Sequence, residues 1–319
     1  MTQRNLFPIL LVGLPIGLGL SVVAALYLYY NPLDIPLPSR PTRQDAAVFL
    51  RRSPSESDLR DYHRILVTDL ASRTRHAPDQ QRTAANWIAS TLGPSNLGLP
   101  VRLVESELPG TADAPPVRSA SLVVELTGTR QKNEAIVIVT GYETDTPGMN
   151  SALSTASLMT VVSSFIATPQ RRTLVFAFQS SETPSVQGGP PLDALIQSLK
   201  LRDLSIKGVL DLRVSASASP ASPDLPTPKA MLEICAPREG QSWTGEVREA
   251  FAPRKPAGVP VDFPAATDAP PEASALAGWS AAPAPYLLLW VRTKAPNDEA
   301  TPLAVARSLE GVLQALANQ

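Results

Sequence analysis

The sequence is poor in the residues that most often hold metals and redox centres. Its 319 residues include two histidines, His63 and His76, and a single cysteine, Cys235. One thiol excludes an internal disulfide, a cysteine-rich zinc site and a CxxC redox pair, and it leaves the compartment open. A metal site needs three or four converging ligands, and both histidines lie in the N-terminal part. Each therefore reads as a surface or capping residue. Charged residues make up only 18% of the chain and the formal net charge is −1. That balance leaves no electrostatic footprint for nucleic acid. The nucleophile-elbow pattern GxSxG is also absent.

Proline, by contrast, is abundant at 33 residues and gathers in particular stretches. Ahead of the first of these, residues 6–30 (LFPILLVGLPIGLGLSVVAALYLYY) form an uncharged run long enough to cross a bilayer. Tyr27, Tyr29 and Tyr30 at its end fit an interfacial aromatic belt. Pro8 and Pro15 are tolerable there, because neighbours in a membrane helix re-satisfy the backbone. A cleaved signal peptide is the rival reading, but the run is too long for one and no small-residue cleavage site follows. Gly13 and Gly17 form a GxxxG that could seat a partner helix, although an ordinary glycine-rich helix accounts for them too. Residues 31–43 (NPLDIPLPSRPTR) then read as a stiff spacer. The expected organisation is a tail at 1–5, a membrane helix at 6–30, a Pro-rich linker at 31–55 and a domain at 56–319. Ala/Pro/Ser-rich insertions fall near 215–228 and 252–284 and cannot bury much on their own.

The centre of the domain is residues 134–190. Two apolar β-branched runs, AIVIVT at 135–140 and TLVFAF at 173–178, read as buried strands of an α/β sheet. Each ends in a polar loop, GYETDTPGMNS and QSSETPSVQGG. Ligands bind at such carboxyl ends in open α/β sheets. Elsewhere, Ser55 three residues before Asp58 makes a capping box for a first helix carrying Leu59, Tyr62, Leu66 and Leu70. Ala84, Ile88 and Leu92 mark a second helix stopped at Gly93-Pro94. Strands are expected at 101–107, 120–126, 208–214, 230–235 and 285–291, helices at 152–166 and 192–199, and a closing helix from Thr301-Pro302.

Strand, loop and helix followed by R-T-L-V-F-A-F-x-x-x-E resembles the core of the di-zinc aminopeptidases of the bacterial leucyl aminopeptidase and glutamate carboxypeptidase type. The RHAP…AA-x-W-I segment resembles that family's N-terminal helix pair, so the likeness runs from about residue 56 to the end. It implies a mixed, mostly parallel central sheet flanked by helices, preceded here by one transmembrane helix. It also implies positions for a metal centre. The family's metal-binding His falls on Tyr142, the Asp that orients it on Thr144, the bridging Asp on Ser151, and a glutamate ligand on Thr183. The last metal-binding His falls in the loop at Ala295-Pro296. The general base position is kept as Glu182, and one metal position keeps a carboxylate, Asp211. An Asp in a strand can instead pair with an arginine, and Arg213 and Arg202 are both available.

A phenol, two hydroxyls and apolar side chains supply no strong zinc donors. Without a metal there is no acidified water, and Glu182 has nothing to activate. Glu143, Asp145, Glu182 and Asp211 lack the spacing of a calcium loop. Ser151, Ser154, Ser180 and Ser181 lack an activating base. The expectation is therefore a pseudo-peptidase with no cofactor, anchored in the bilayer through residues 6–30 and serving as a structural or binding subunit among other membrane proteins. Zinc enters only if the chain is instead a hydrolase with an altered site. A third reading keeps the old cleft, with Tyr142, Glu143, Glu182 and Asp211, as a binding pocket. Arg4 and the α-amino group precede the helix, while Arg40 and Arg43 follow it at a greater distance, a weak orientation signal. With the resemblance to a family whose membrane-anchored members are commonly exported, it implies a cytoplasmic N-terminus and an extracytoplasmic body, in the periplasm of a Gram-negative cell.

Overall fold

The computed structural model describes residues 53–319 except 75–76, 109–116, 144–149, 167, 181–189, 216–228, 237–241, 265–283 and 296. By contacts the chain divides into Met1–Ala46 and Ala47–Gln319. The expected membrane helix, with Gly13 and Gly17, and the linker up to residue 52 lie outside the described residues. Among the described residues no helix is long and apolar enough to cross a membrane.

The elements are α1 Glu56–Thr68, α2 Pro78–Leu92, β1 Val101–Leu108, β2 Val117–Leu126, β3 Gln131–Gly141, α3 Ser151–Ser164, β4 Arg172–Gln179, α4 Pro190–Lys200, β5 Ser205–Ser215, β6 Met231–Cys235, α5 Ser242–Phe251, β7 Val261–Asp262, β8 Tyr286–Arg292 and α6 Ala300–Asn318. The strands form one sheet in the order β1-β2-β4-β3-β5-β8-β6-β7. Its centre is parallel, with β3 flanked by β4 and β5, and β8 beside β5. β1, β2 and β6 join antiparallel. The sheet is mixed, as expected.

Both faces of the sheet are covered, which is why the central strands read as continuous apolar runs. Ile136, Ile138, Leu210 and Leu212 belong to the core shared with α1, α2, α3, α5 and α6. Val137, Val139, Val209, Tyr286 and Leu288 belong to the core under α4. Side chains alternate along a strand, so neighbouring residues of β3 and β5 serve opposite cores.

Helix α3 is buried along its whole length despite its serines and threonines. Thr160, Ser163 and Ser164 return their hydroxyl protons to the carbonyls of Ala156, Met159 and Val161 at 2.7–2.9 Å. That internal satisfaction lets most of a polar composition enter a core, with Ser157 Oγ the one hydroxyl of the helix left without a bond.

The helix ends follow their caps. Ser55 caps α1 by accepting from the Asp58 N–H at 3.1 Å, as the capping box predicts. α2 stops at Gly93, as expected. The last helix starts at Ala300, just before the expected Thr301. Its cap is the Asp298 carboxylate, which accepts from the Thr301 N–H at 3.2 Å and the Thr301 hydroxyl at 2.6 Å.

Two elements were not anticipated. α5 buries Trp243, Val247, Ala250 and Phe251, and its indole lies against β5 where Gly208 leaves room. A Cβ on Gly208 would fall 2.1 Å from the ring. The expected insertion at 252–284 is also not irregular throughout: β7 pairs with β6, Val259 is buried, and Arg248 stacks 4.7 Å from the Phe263 ring.

Candidate functional site

The carboxyl ends of β3 and β5 and the start of α3 are held together by hydroxyls and one guanidinium. Asn150 caps α3 by accepting from the Leu153 N–H at 3.0 Å, and its own N–H donates to the Val214 carbonyl at 2.7 Å. The Ser154 hydroxyl donates to the Asn150 carbonyl and accepts from the Val214 N–H. Thr155 donates to the Gly141 carbonyl at 3.1 Å, and Thr140 to the Leu212 carbonyl at 2.9 Å. Ser154 thus serves as a backbone clamp between α3 and β5, and among the described residues no histidine bonds to it as a base.

Arg73, fully buried in the loop between α1 and α2, closes this arrangement. Its Nε donates to the Tyr142 carbonyl at 2.5 Å and its Nη1 to the carbonyls of Leu66 and Leu70 at 2.5 and 2.9 Å. Its Nη2 donates to the Ser151 hydroxyl at 3.0 Å. The residue was not singled out from the sequence, where it is one arginine among several in a polar loop.

Among the described residues, the aligned metal positions Tyr142 and Ser151 lie apart from Asp211. Tyr142 follows β3, and its ring lies in the core on the α3 side of the sheet. Its hydroxyl donates to the Ala120 carbonyl at 3.3 Å. Burial, with the Glu143 charge adding to it, pushes the phenol well above the usual tyrosine range, so a phenolate ligand is disfavoured. Glu143 is buried beside it and accepts from the Gln81 amide of α2, which also donates to the Ser180 carbonyl at 3.3 Å. Ser151 opens α3 under Arg73.

Asp211 lies elsewhere. It stands on β5 opposite Val139 and Leu288, on the face of the sheet that meets α4. Arg213 grips both of its oxygens, Nε to Oδ1 at 2.7 Å and Nη2 to Oδ2 at 3.1 Å. The Tyr286 hydroxyl donates to Oδ2 at 2.7 Å. Of the two arginines the sequence offered, Arg213 is the partner, and Arg202 pairs with Glu125. The cause is periodicity, since residues two apart on a strand share a face.

Glu182 and Thr183 lie outside the described residues, as do Thr144, Asp145, Ser181, Pro296 and His76. The structure therefore brings together Tyr142, Glu143 and Ser151 and separates Asp211 from them. His63 is not on the surface as expected. It is buried on α1, with Nδ1 2.8 Å from a Glu299 carboxylate oxygen at the start of α6.

The described donors do not suit a zinc ion. The Tyr142 phenol keeps its proton, the Ser151 oxygen is bonded to a cation, and both Asp211 oxygens are taken by Arg213 and Tyr286. Among the described residues no group of three His, Cys, Asp or Glu side chains could hold a metal.

No protein-family model and no curated protein matches the sequence. Solved structures do match the fold. The LapA aminopeptidase of Legionella pneumophila superposes with a TM-score of 0.61 at 13% identity, over 88% of this chain and 76% of that one. A putative Zn-dependent exopeptidase from Bacteroides vulgatus gives 0.60 at 11% identity, over 83% and 98%. The glutaminyl cyclase of Fimbriiglobus ruber gives 0.55 at 14% identity, over 82% and 95%. The chain thus has the aminopeptidase-like fold that Zn-dependent exopeptidases and glutaminyl cyclases share, and at these identities the likeness concerns the fold alone.

Proposed function

We propose that the chain is a membrane-tethered, non-catalytic member of this fold that serves as a structural or binding subunit beside other membrane proteins. The observation that carries the reading is how the site's polar groups are used. Tyr142, Ser151, Ser154 and Asp211 each spend their donors and acceptors on backbone, on a guanidinium or, for Asp211, also on the Tyr286 hydroxyl. A catalytic centre instead holds such groups poised toward a ligand. The uncharged run at 6–30 and the proline-rich spacer supply the tether, and the nearer position of Arg4 and the α-amino group, with the family resemblance, supports an extracytoplasmic body.

A second reading, a hydrolase with an altered metal site, draws on the exopeptidase neighbours and on the glutamate at position 182. Two measurements separate the readings. The full chain is purified in detergent without chelator, its zinc is quantified, and hydrolysis of aminoacyl anilides is followed with and without added zinc. The subunit reading expects no stoichiometric zinc and no chelator-sensitive turnover. Near-equimolar zinc, lost together with activity on chelation, would overturn it. Resistance of the chain to alkaline carbonate extraction tests the tether separately.

A further inference from the structure

A cavity of about 760 Å³ opens between α1, the segment after α5 and the start of α6. Its charged walls are Glu56, Arg60, Arg254, Lys255, Glu299 and Arg307. The two carboxylates are already answered. Arg60 bonds Glu56 at 2.5 Å and Glu299 at 3.4 Å, and both interactions hold its pKa above the usual arginine value. His63 supports Glu299 from behind.

The other three cations are not answered in this way. Arg254 gives Nη1 to the Ala250 carbonyl at the end of α5, and its side-chain stem lies against Gly311, where a Cβ would come within 2.9 Å. Arg307 gives Nε to the Pro54 carbonyl at 3.1 Å. Lys255 is exposed. No carboxylate among the described residues pairs with any of the three. The four cations of the wall outnumber its two carboxylates, and a concavity with a net positive charge favours an anion.

The geometry points to a phosphate-binding site, and we propose that its ligand is the headgroup of an anionic phospholipid. Two guanidinium forks and an ammonium suit the several oxygens and the charge of a phosphate better than a single carboxylate. The lipid source rests on the tethered reading above. Pro54, whose carbonyl Arg307 holds, follows the spacer in sequence, so few residues separate this cavity from the proposed tether. A phosphate contact there would fix which face of the domain meets the membrane, a restraint that the spacer alone does not supply.

The test uses the full chain in a neutral detergent, titrated with dihexanoyl phosphatidylglycerol, dihexanoyl phosphatidylcholine or inorganic phosphate and read by phosphorus NMR. The expected result is saturable binding of phosphatidylglycerol that Lys255→Gln/Arg307→Gln weakens about tenfold or more. Raising salt from about 50 to about 300 mM weakens it as well. Lys255→Gln alone, which removes no bond found among the described residues, gives a smaller loss in the same direction and guards against a folding artefact. Lys132→Gln, on β3 and outside the cavity, leaves binding unchanged. Inorganic phosphate that binds as tightly as the lipid, with the same sensitivity to the variants, would overturn the lipid assignment and leave a soluble phosphate compound as the ligand. Absence of saturable binding, or binding that ignores both variants, would overturn the site itself. Because the lipids are monomeric and the chain is already in detergent, the result does not depend on whether residues 6–30 insert. Carbonate extraction reports that question alone.

Discussion

Asp211 distinguishes a lost metal centre from a working one, because the same carboxylate is either a ligand or the partner of Arg213. The perturbation is Asp211→Asn. It removes the carboxylate that both nitrogens of the buried Arg213 grip, and breaking a buried pair costs about 3–5 kcal/mol. Tyr286→Phe removes one hydrogen bond to an ionised acceptor and costs about 1.5–3 kcal/mol. Arg213→Met strands the carboxylate with the Tyr286 hydroxyl and falls in the same range as Asp211→Asn. For a domain of this size each kcal/mol moves the midpoint of thermal unfolding by roughly 2–4 °C. Asp211→Asn should therefore lower it by about 6–20 °C.

The decisive measurement is the double-mutant cycle. Asp211→Asn/Arg213→Met removes both charges, so its loss should resemble that of one single variant, with a coupling energy of about 2 kcal/mol or more. Trp243 and Trp290 lie in the described core, so tryptophan fluorescence during urea unfolding of the full chain in detergent reports the domain. The reasoning is refuted if the two single losses simply add. It is also refuted if Asp211→Asn keeps full stability while the protein loses bound zinc.

Arg73→Ala should cost about 3–5 kcal/mol, because three buried carbonyls lose their donor, and Arg73→Lys should recover only part of that, since an ammonium cannot fork; urea titration checks both. Gly208→Ala should destabilise by about 1–3 kcal/mol by pushing the Trp243 ring off β5, with a change in tryptophan emission as its signature. Cys235 is buried, and burial followed by the Glu233 charge pushes its thiol up to about 12; an aromatic disulfide reagent at neutral pH should leave it unmodified until urea is added. Burial raises the Asp298 pKa, but the hydrogen bonds from Thr301 and from the Lys294 N–H outweigh it and hold the group below the usual aspartate value. Because the folded pKa lies below the unfolded one, its stabilisation is complete above about pH 4 and disappears as pH falls through the folded value. The stability gap between wild type and Asp298→Asn should therefore narrow in acid and stay constant from pH 5 to neutrality, as urea titrations at each pH would record.

The parts of the fold that were legible share one property: the signal is local. β3, β4 and β8 announce themselves as β-branched or leucine runs because both faces of the sheet are covered. α1 and α2 carry their cap and stop residues in the sequence, Ser55 and Gly93. α5 was missed although Trp243, Val247, Ala250 and Phe251 recur at helical spacing. Gly245 within it and the absence of a clear opening cap weakened that pattern. β7 spans two residues and has no periodicity to read. It exists because β6 offers it an edge.

The site was less legible, since its meaning depends on contacts far apart in sequence. Nothing local marks Arg73 as buried, as its partners are the ends of α1, β3 and α3. Aligned by motif, Asp211 looks like a surviving ligand. The register of β5 turns it toward α4 and gives it Arg213 and Tyr286, whereas Tyr142 and Ser151 belong to the other core. A motif match compares residue types at positions, and a metal centre also requires those side chains to face one point in space. Here Asp211 and the Tyr142–Ser151 pair do not, so the surviving carboxylate is better explained by the arginine two residues away than by a metal.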